Sequence, residues 1–110
     1  MKRLLLVLLL VGMTSPALAR ESVFLTVNEL HGFCTNGNPV DEGACIYYIV
    51  GISDGLNGVR KKDSPLFCAP QAASREQVAD VAKQFLSNSP QSRHYAATYL
   101  VAEALSKAFP

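Results

Sequence analysis

The chain has 110 residues, of which 49% are hydrophobic, and its ten Lys and Arg against nine Asp and Glu give a formal net charge of +1. This balance excludes the strongly basic surface that is typical of nucleic-acid-binding domains. Three cysteines and two histidines occur, but the sequence has neither a Cys-x-x-Cys pair nor zinc-ligand spacing. The sequence therefore indicates no redox dithiol, no metal site and no other cofactor.

The N-terminus has the features of an export signal. Lys2 and Arg3 precede an apolar run that ends in small residues at positions 17–19. The run is too short to remain as a membrane-spanning helix. We expect residues 1–19 to be cleaved, leaving residues 20–110 as one periplasmic domain without a membrane span. Its eight basic and nine acidic residues leave a formal charge of −1.

Two helices are predicted in the first half of this domain. The first covers residues 26–34, where Glu29 follows Thr26 at the spacing of a capping box. The second covers residues 41–59, because apolar residues recur there at steps of three and four. Its predicted buried stripe consists of Cys45, Ile49, Ile52, Leu56 and Val59.

The second helix also contains closely spaced glycines. Gly51 and Gly55 share a face with Tyr48, beside the buried stripe. Each glycine destabilises a helix by about 1 kcal/mol relative to alanine, so we expect another backbone to approach closely. That backbone belongs either to a neighbouring helix of the same chain or to a second copy. Asp54 lies in the same apolar segment, and we expect a half-buried, hydrogen-bonded carboxylate there rather than a catalytic acid.

A charged segment interrupts the helical pattern after residue 59. Arg60, Lys61, Lys62 and Asp63 form the largest charge cluster of the mature chain. Such a segment is either a solvated connector within the domain or a protruding contact loop.

Two further helices are predicted in the second half. The third begins at Ser74, with Gln77 in capping-box position, and ends near Pro90. The last covers residues 92–108. The expected buried positions of the two helices are Val78, Val81, Ala82, Phe85 and Leu86, then Ala97, Leu100, Val101, Ala104, Leu105 and Ala108. The expected fold is all-α: a small compact domain of about four helices cross-linked by a disulfide.

Three cysteines in an exported protein imply one disulfide and one remaining thiol. We favour Cys45 with Cys68, because a helix over residues 41–59 followed by an extended segment would bring Cys68 back along the helix. Cys34 would then be unpaired, although pairing of Cys34 with either of the other two remains open.

The sequence contains none of the common catalytic signatures, among them a nucleophile elbow, a zinc-protease motif and a phosphate-binding loop. We therefore expect the protein not to be an enzyme.

Several motifs together resemble those of the Rap/Tai family of type VI secretion amidase immunity proteins. They are the segments Leu30 and Phe33-Cys34-Thr35, Cys-Ile-Tyr-Tyr-Ile-Val-Gly-Ile-Ser-Asp-Gly at 45–55, Phe-Cys-Ala-Pro at 67–70 and Ala-Leu-Ser-Lys-Ala-Phe-Pro at 104–110. The resemblance covers nearly all of the mature chain.

The resemblance implies a small helical periplasmic homodimer whose exposed loop enters the groove of a peptidoglycan amidase. On this hypothesis Arg60, Lys61, Lys62 and Asp63 are the contact residues. Relatives often carry another cysteine after the terminal Phe-Pro, which this chain lacks. The resemblance therefore implies that one of the three cysteines has lost its family partner; it favours Cys34 without settling the pairing.

Two other functions are compatible with the sequence. A periplasmic acid-stress chaperone would also be a disulfide-linked helical dimer, and it would expose apolar surface when its carboxylates are protonated. A cell-envelope scaffold or binding protein without a toxin partner is the other alternative.

Overall fold

The structure is a computed structural model that describes residues 24–58 and 69–110. The first helix, α1, spans Val27–Thr35. Thr26 caps it, since its side chain accepts a hydrogen bond from the Glu29 N–H at 3.3 Å, while Oε2 of Glu29 accepts one from the Thr26 N–H at 2.8 Å. The predicted capping box is therefore confirmed, and two N–H groups without an intrahelical partner are satisfied by it.

The second helix, α2, spans Pro39–Gly58 and begins two residues earlier than predicted. Asn38 explains the early start, because its Oδ1 accepts hydrogen bonds from the backbone N–H groups of Val40 and Asp41 at 2.9 and 3.4 Å. Pro39 suits the first helical position, because a backbone N–H there would have no hydrogen-bond partner within the helix. Gly37 has a φ of +78°, which lets the chain reverse between α1 and α2.

The disulfide joins Cys34 to Cys45, so the favoured pairing of Cys45 with Cys68 is wrong. The short turn folds α1 back along α2 and places the two Cα atoms 5.3 Å apart, within the range for a bridge. The prediction failed because it considered only the segment that follows α2 as a neighbour of Cys45. It did not consider α1, which precedes α2 and carries Cys34. Cys68 itself lies outside the described residues.

The third helix, α3, spans Arg75–Ser87 and starts with the predicted capping box of Ser74 and Gln77. A 3₁₀ turn follows at Pro90–Ser92, and the fourth helix, α4, spans Ala97–Ala108. The prediction that the last helix begins at residue 92 is wrong, because residues 93–97 pair instead with the start of α1. The Val27 and Asn28 N–H groups donate to the carbonyls of Tyr95 and Arg93, and the Ala97 N–H donates to that of Leu25.

Helix α2 contacts each of the other three helices, and the core lies between them. The predicted stripes are largely confirmed, although Ala108 is exposed and Ile52, Leu56, Val81 and Phe85 are only partly buried. Val59 lies outside the described residues. The fully enclosed side chains are Val27, Leu30, Cys45, Ile49, Ala79, Ala82, Leu86, Ala97, Val101 and Leu105. The all-α class with four helices is confirmed.

Candidate partner-binding surfaces

The structure distributes the predicted site residues over different parts of the fold. Tyr48 is half-buried, and its hydroxyl lies 3.4 Å from Oγ1 of Thr98 on α4. Gly51, Asp54 and Gly55 are exposed. The expectation of a half-buried Asp54 is therefore wrong, because the residue lies on the side of α2 that faces away from the core. The charged cluster of residues 60–63 lies outside the described part of the chain.

One side of α2 is apolar and uncovered in the described part of the chain. We call it the open face of α2, and it consists of Val40, Ala44, Tyr47, Gly51 and Gly55, with the exposed carboxylate of Asp54 at its edge. These residues recur at steps of three and four and are all exposed, with Val40 at 79% and Tyr47 at 62%. Exposed apolar residues that lie together on one side of a helix indicate a surface for another molecule.

The glycines of the open face have no packing role within the described chain. A Cβ atom added at Gly51 or Gly55 would meet nothing within 4 Å. The expected close approach by another helix of the same chain is therefore wrong for the described helices. Close approach by a second copy, the other explanation for the glycines, stays a prediction.

Tyr47 is fixed at the edge of the open face by a residue of α3. Nη1 of Arg75 donates a hydrogen bond to the Tyr47 hydroxyl at 2.9 Å, and the guanidinium carbon lies 5.6 Å from the centre of the ring. This combination of a hydrogen bond and a cation–π contact restricts the rotamers of both side chains. Less side-chain entropy is then lost when a partner binds there.

A cleft lies where α2 ends and α3 begins. Its volume is about 310 Å³, and its lining includes Ser53, Asp54, Pro70 and Arg75. The cleft is close to residues 58 and 69, which flank the segment that contains the charged cluster. Asp54 and Arg75 give this region one acidic and one basic group for polar contacts with a partner.

A second aromatic surface lies on α4 and in the turn before it. Tyr95 and Tyr99 are 51% and 66% exposed and are four positions apart in the sequence. They line a cleft of about 500 Å³ with Ala96 and Leu100 among its apolar residues and Glu103 among its polar ones. Exposed tyrosines over an apolar floor are typical of protein-binding surfaces. Sequence analysis missed these residues and Tyr47, although their positions outside the buried stripes could have identified them.

His31 and Arg93 form a polar contact between α1 and the turn before α4. Nη1 of Arg93 lies 3.0 Å from Nδ1 of His31. Burial, and secondly the charge of Arg93, hold the pKa of His31 below its usual value of 6.5. Sequence analysis missed this pair, because 62 positions separate the two residues and no local pattern connects them.

The described residues show neither a metal site nor a membrane-spanning helix. Within residues 24–58 and 69–110, no three His, Cys, Asp or Glu side chains are grouped to share a metal ion. Over the same residues, no helix has both the length and the apolar composition needed to cross a membrane.

Comparison with known proteins gives a family. Neither the curated proteins nor the solved structures yield a significant match. A family model described as Rap1a immunity proteins matches residues 26–110, which include all four helices and the Cys34–Cys45 bridge. The chain therefore belongs to the Rap1a immunity protein family.

Proposed function

We propose that this protein is a periplasmic immunity protein that binds a peptidoglycan amidase delivered by type VI secretion and blocks it sterically. The membership of residues 26–110 in an immunity-protein family carries the proposal. The export-signal pattern of residues 1–19 supports a periplasmic location, where peptidoglycan is exposed to such an enzyme.

The proposed mechanism is occlusion of the substrate cleft of the amidase. Residues Arg60, Lys61, Lys62 and Asp63 enter that cleft, while the clustered charges increase the rate of encounter with the effector. The cleft beside Asp54 and Arg75 lies next to the residues that flank this segment and offers additional polar contacts.

The aromatic surface of α4 supplies the main fixed contact with the effector. Tyr99 is 66% exposed and stands beside a cleft with apolar residues, so burying its ring removes a large apolar area from water. Tyrosines in such positions often dominate the binding free energy of an interface. In this mechanism residues 60–63 block the substrate cleft of the amidase, and the tyrosines supply most of the affinity for it.

The open face of α2 joins two copies of the protein in a homodimer. The helix has 20 residues and is about 30 Å long, so a stripe about 10 Å wide amounts to about 300 Å² per copy. Standard interfaces bury about 800 Å² per partner, so this face forms the centre of the contact and neighbouring side chains complete it. The glycines allow two helix backbones to approach closely, which explains why the helix contains them.

The test is an inhibition assay with the oxidised mature protein, residues 20–110. Proteins captured with it from the secreted and periplasmic fractions of its own bacterium are assayed for hydrolysis of peptidoglycan amide bonds. We expect a captured amidase that loses activity at one bound copy of this chain per enzyme. Failure to retain any cell-wall hydrolase, together with acid-dependent protection of unfolded clients, would favour the chaperone alternative instead.

The charged segment is tested by replacing residues 60–63 with Gly-Ser-Gly-Ser. We expect the circular dichroism spectrum and melting temperature to stay unchanged and inhibition of the amidase to be lost. A matched control replaces Glu76 and Asp80 with serine, since these two exposed acids lie on α3. Inhibition retained by the segment variant would remove these residues from the mechanism.

A further inference from the structure

Three backbone hydrogen bonds hold the start of α1 against the residues that lead into α4. The Val27 N–H donates to the Tyr95 carbonyl at 2.9 Å, the Asn28 N–H to the Arg93 carbonyl at 2.9 Å, and the Ala97 N–H to the Leu25 carbonyl at 3.0 Å. We call this contact the N-terminal clasp. The backbone carbonyl of Arg93 belongs to the clasp, and the side chain of the same residue contacts His31.

The His31–Arg93 hydrogen bond requires a neutral histidine. A guanidinium has five N–H donors and no acceptor, so Nη1 of Arg93 is the donor at 3.0 Å and Nδ1 of His31 is the acceptor. Nδ1 must therefore carry a lone pair, which places the ring proton on Nε2. Protonation of the ring would put a second donor at this contact and bring two positive charges together.

Arg93 depends on this acceptor, because its Nε is buried without a hydrogen-bond partner among the described residues. The guanidinium is already incompletely satisfied, and loss of the bond to His31 would leave it with a second unsatisfied nitrogen. Arg93 is only half-buried, so an unsatisfied guanidinium can move toward water.

The other charged side chains of the described residues do not compensate a charge on His31. Arg93 is the charged group that acts on the ring. Asp54 and His94 are exposed. The remaining charged groups have partners elsewhere: Glu29 with Thr26, Asp41 with Asn36, Glu42 and Asp80 with Lys83, Arg75 with Glu76 and Tyr47, and Glu103 with Lys107.

We propose that His31 and Arg93 form an acid-sensitive latch that keeps the N-terminal clasp closed at neutral pH and releases it when His31 gains a proton. The released Arg93 moves away from the ring, and the backbone bonds of residues 27, 28 and 97 then open more often. The unprotonated ring restores the bond when the pH rises again.

The direction of the pH dependence follows from the lowered pKa of His31. The folded state binds this proton less readily than the unfolded chain does, whose histidine has a pKa of about 6.5. The contribution of neutral His31 to the stability of the folded state is complete above pH 6.5. It is lost as the pH falls through the pKa of His31 in the folded state. Tyr95 belongs to both the clasp and the aromatic surface of α4, so opening also disturbs that surface, a consequence that rests on the proposed function.

Nuclear magnetic resonance of the oxidised mature protein tests the latch directly. Ring nitrogen shifts report the tautomer and the pKa of His31, and amide exchange reports opening of the clasp. We expect the Nε2–H tautomer at neutral pH. On acidification we expect the amides of Val27, Asn28 and Ala97 to lose protection on the order of tenfold, the effect of losing one charge-assisted hydrogen bond.

Two variants complete the experiment. His31→Asn keeps a side-chain acceptor near the position of Nδ1 but does not titrate, so its clasp amides should keep the same protection from neutral to acidic pH. His94→Asn removes the other histidine, whose exposed ring lies against that of Tyr95 with the centroids 4.2 Å apart, and should keep the acid-dependent loss of protection of the wild type. An Nδ1–H tautomer in the wild type would overturn the proposal, as would equal acid sensitivity of the clasp in the wild type and His31→Asn.

Discussion

Cys34 and Cys45 illustrate how a single pair of residues can constrain the unfolded chain. They join the end of α1 to the second turn of α2 across a sequence separation of 11 residues. A bridge over such a short loop removes about 3 kcal/mol of conformational freedom from the unfolded state. In a domain this small, that is a large share of the free energy of unfolding.

The pairing of Cys34 with Cys45 predicts that two cysteine variants differ in stability. Cys68→Ser should retain the bridge, because Cys34 and Cys45 are bonded to each other. Adding Cys34→Ser to that variant should lower the free energy of unfolding by about 3 kcal/mol, measured by urea denaturation. Loss of the bridge in Cys68→Ser alone, seen by thiol counting, would contradict the pairing.

The carboxylate of Glu29 makes the stability of the fold depend on pH. Its carboxylate accepts hydrogen bonds from the Thr26 N–H and hydroxyl, which lowers the pKa of Glu29 below its usual 4.5. The stabilisation is therefore present above that value and lost as the pH falls through the folded-state pKa. Glu29→Gln should reduce the decrease in melting temperature upon acidification. Glu76→Gln, in the first turn of α3, is the matched control and should reduce it less.

At the scale of the secondary-structure element, one side of α4 packs into the core and the other side is available for binding. Leu105 is fully buried against the core, while Tyr99 on the other side is 66% exposed. Truncating a buried leucine removes apolar contacts and leaves a cavity. Truncating an exposed tyrosine removes surface that another molecule could cover.

The prediction for α4 is that its two sides respond differently to alanine. Leu105→Ala should lower the free energy of unfolding by about 2–5 kcal/mol. Tyr99→Ala should change it by about 0.5 kcal/mol or less, yet should weaken binding of the effector about tenfold or more. Thermal denaturation and binding calorimetry distinguish these effects. Unchanged effector affinity in Tyr99→Ala would exclude this side of α4 from the interface.

At the scale of the whole molecule, α2 is the element around which the fold and the proposed assembly are arranged. One side, with Cys45 and Ile49, lies fully within the core. The opposite side is the open face, where Gly51 and Gly55 have space around them. The same helix can therefore serve as the centre of the domain and as the centre of a dimer.

A dimer makes the stability of the protein depend on its concentration. We expect the melting temperature to rise with protein concentration and sedimentation to detect a dimer. Gly51→Gln should abolish both effects, because a side chain there holds two helices apart, although its Cβ would meet nothing within 4 Å among the described residues of one chain. Gly32→Gln on α1 is the control away from the open face, since a Cβ at Gly32 would likewise meet nothing within 4 Å among the described residues. A concentration-independent melting temperature in the wild type would exclude the dimer.

The sequence by itself determined that the domain has four helices and predicted the caps of two of them. Thr26 with Glu29 and Ser74 with Gln77 interact over three positions, so neighbouring residues are enough to predict these helix starts. The buried stripes were also largely predictable, because the periodicity of a helix is a local property. The family resemblance likewise rested on short segments of sequence.

Only the tertiary structure decided which distant residues meet. The partner of Cys45 depends on the reversal of the chain at Gly37, and the late start of α4 depends on backbone bonds to α1. The hydrogen bond between His31 and Arg93 likewise depends on the packing of α1 against that turn. Helical periodicity predicts the faces of each helix, but it does not specify how the helices are placed around one another, and that placement determines which faces are buried and which remain available for binding.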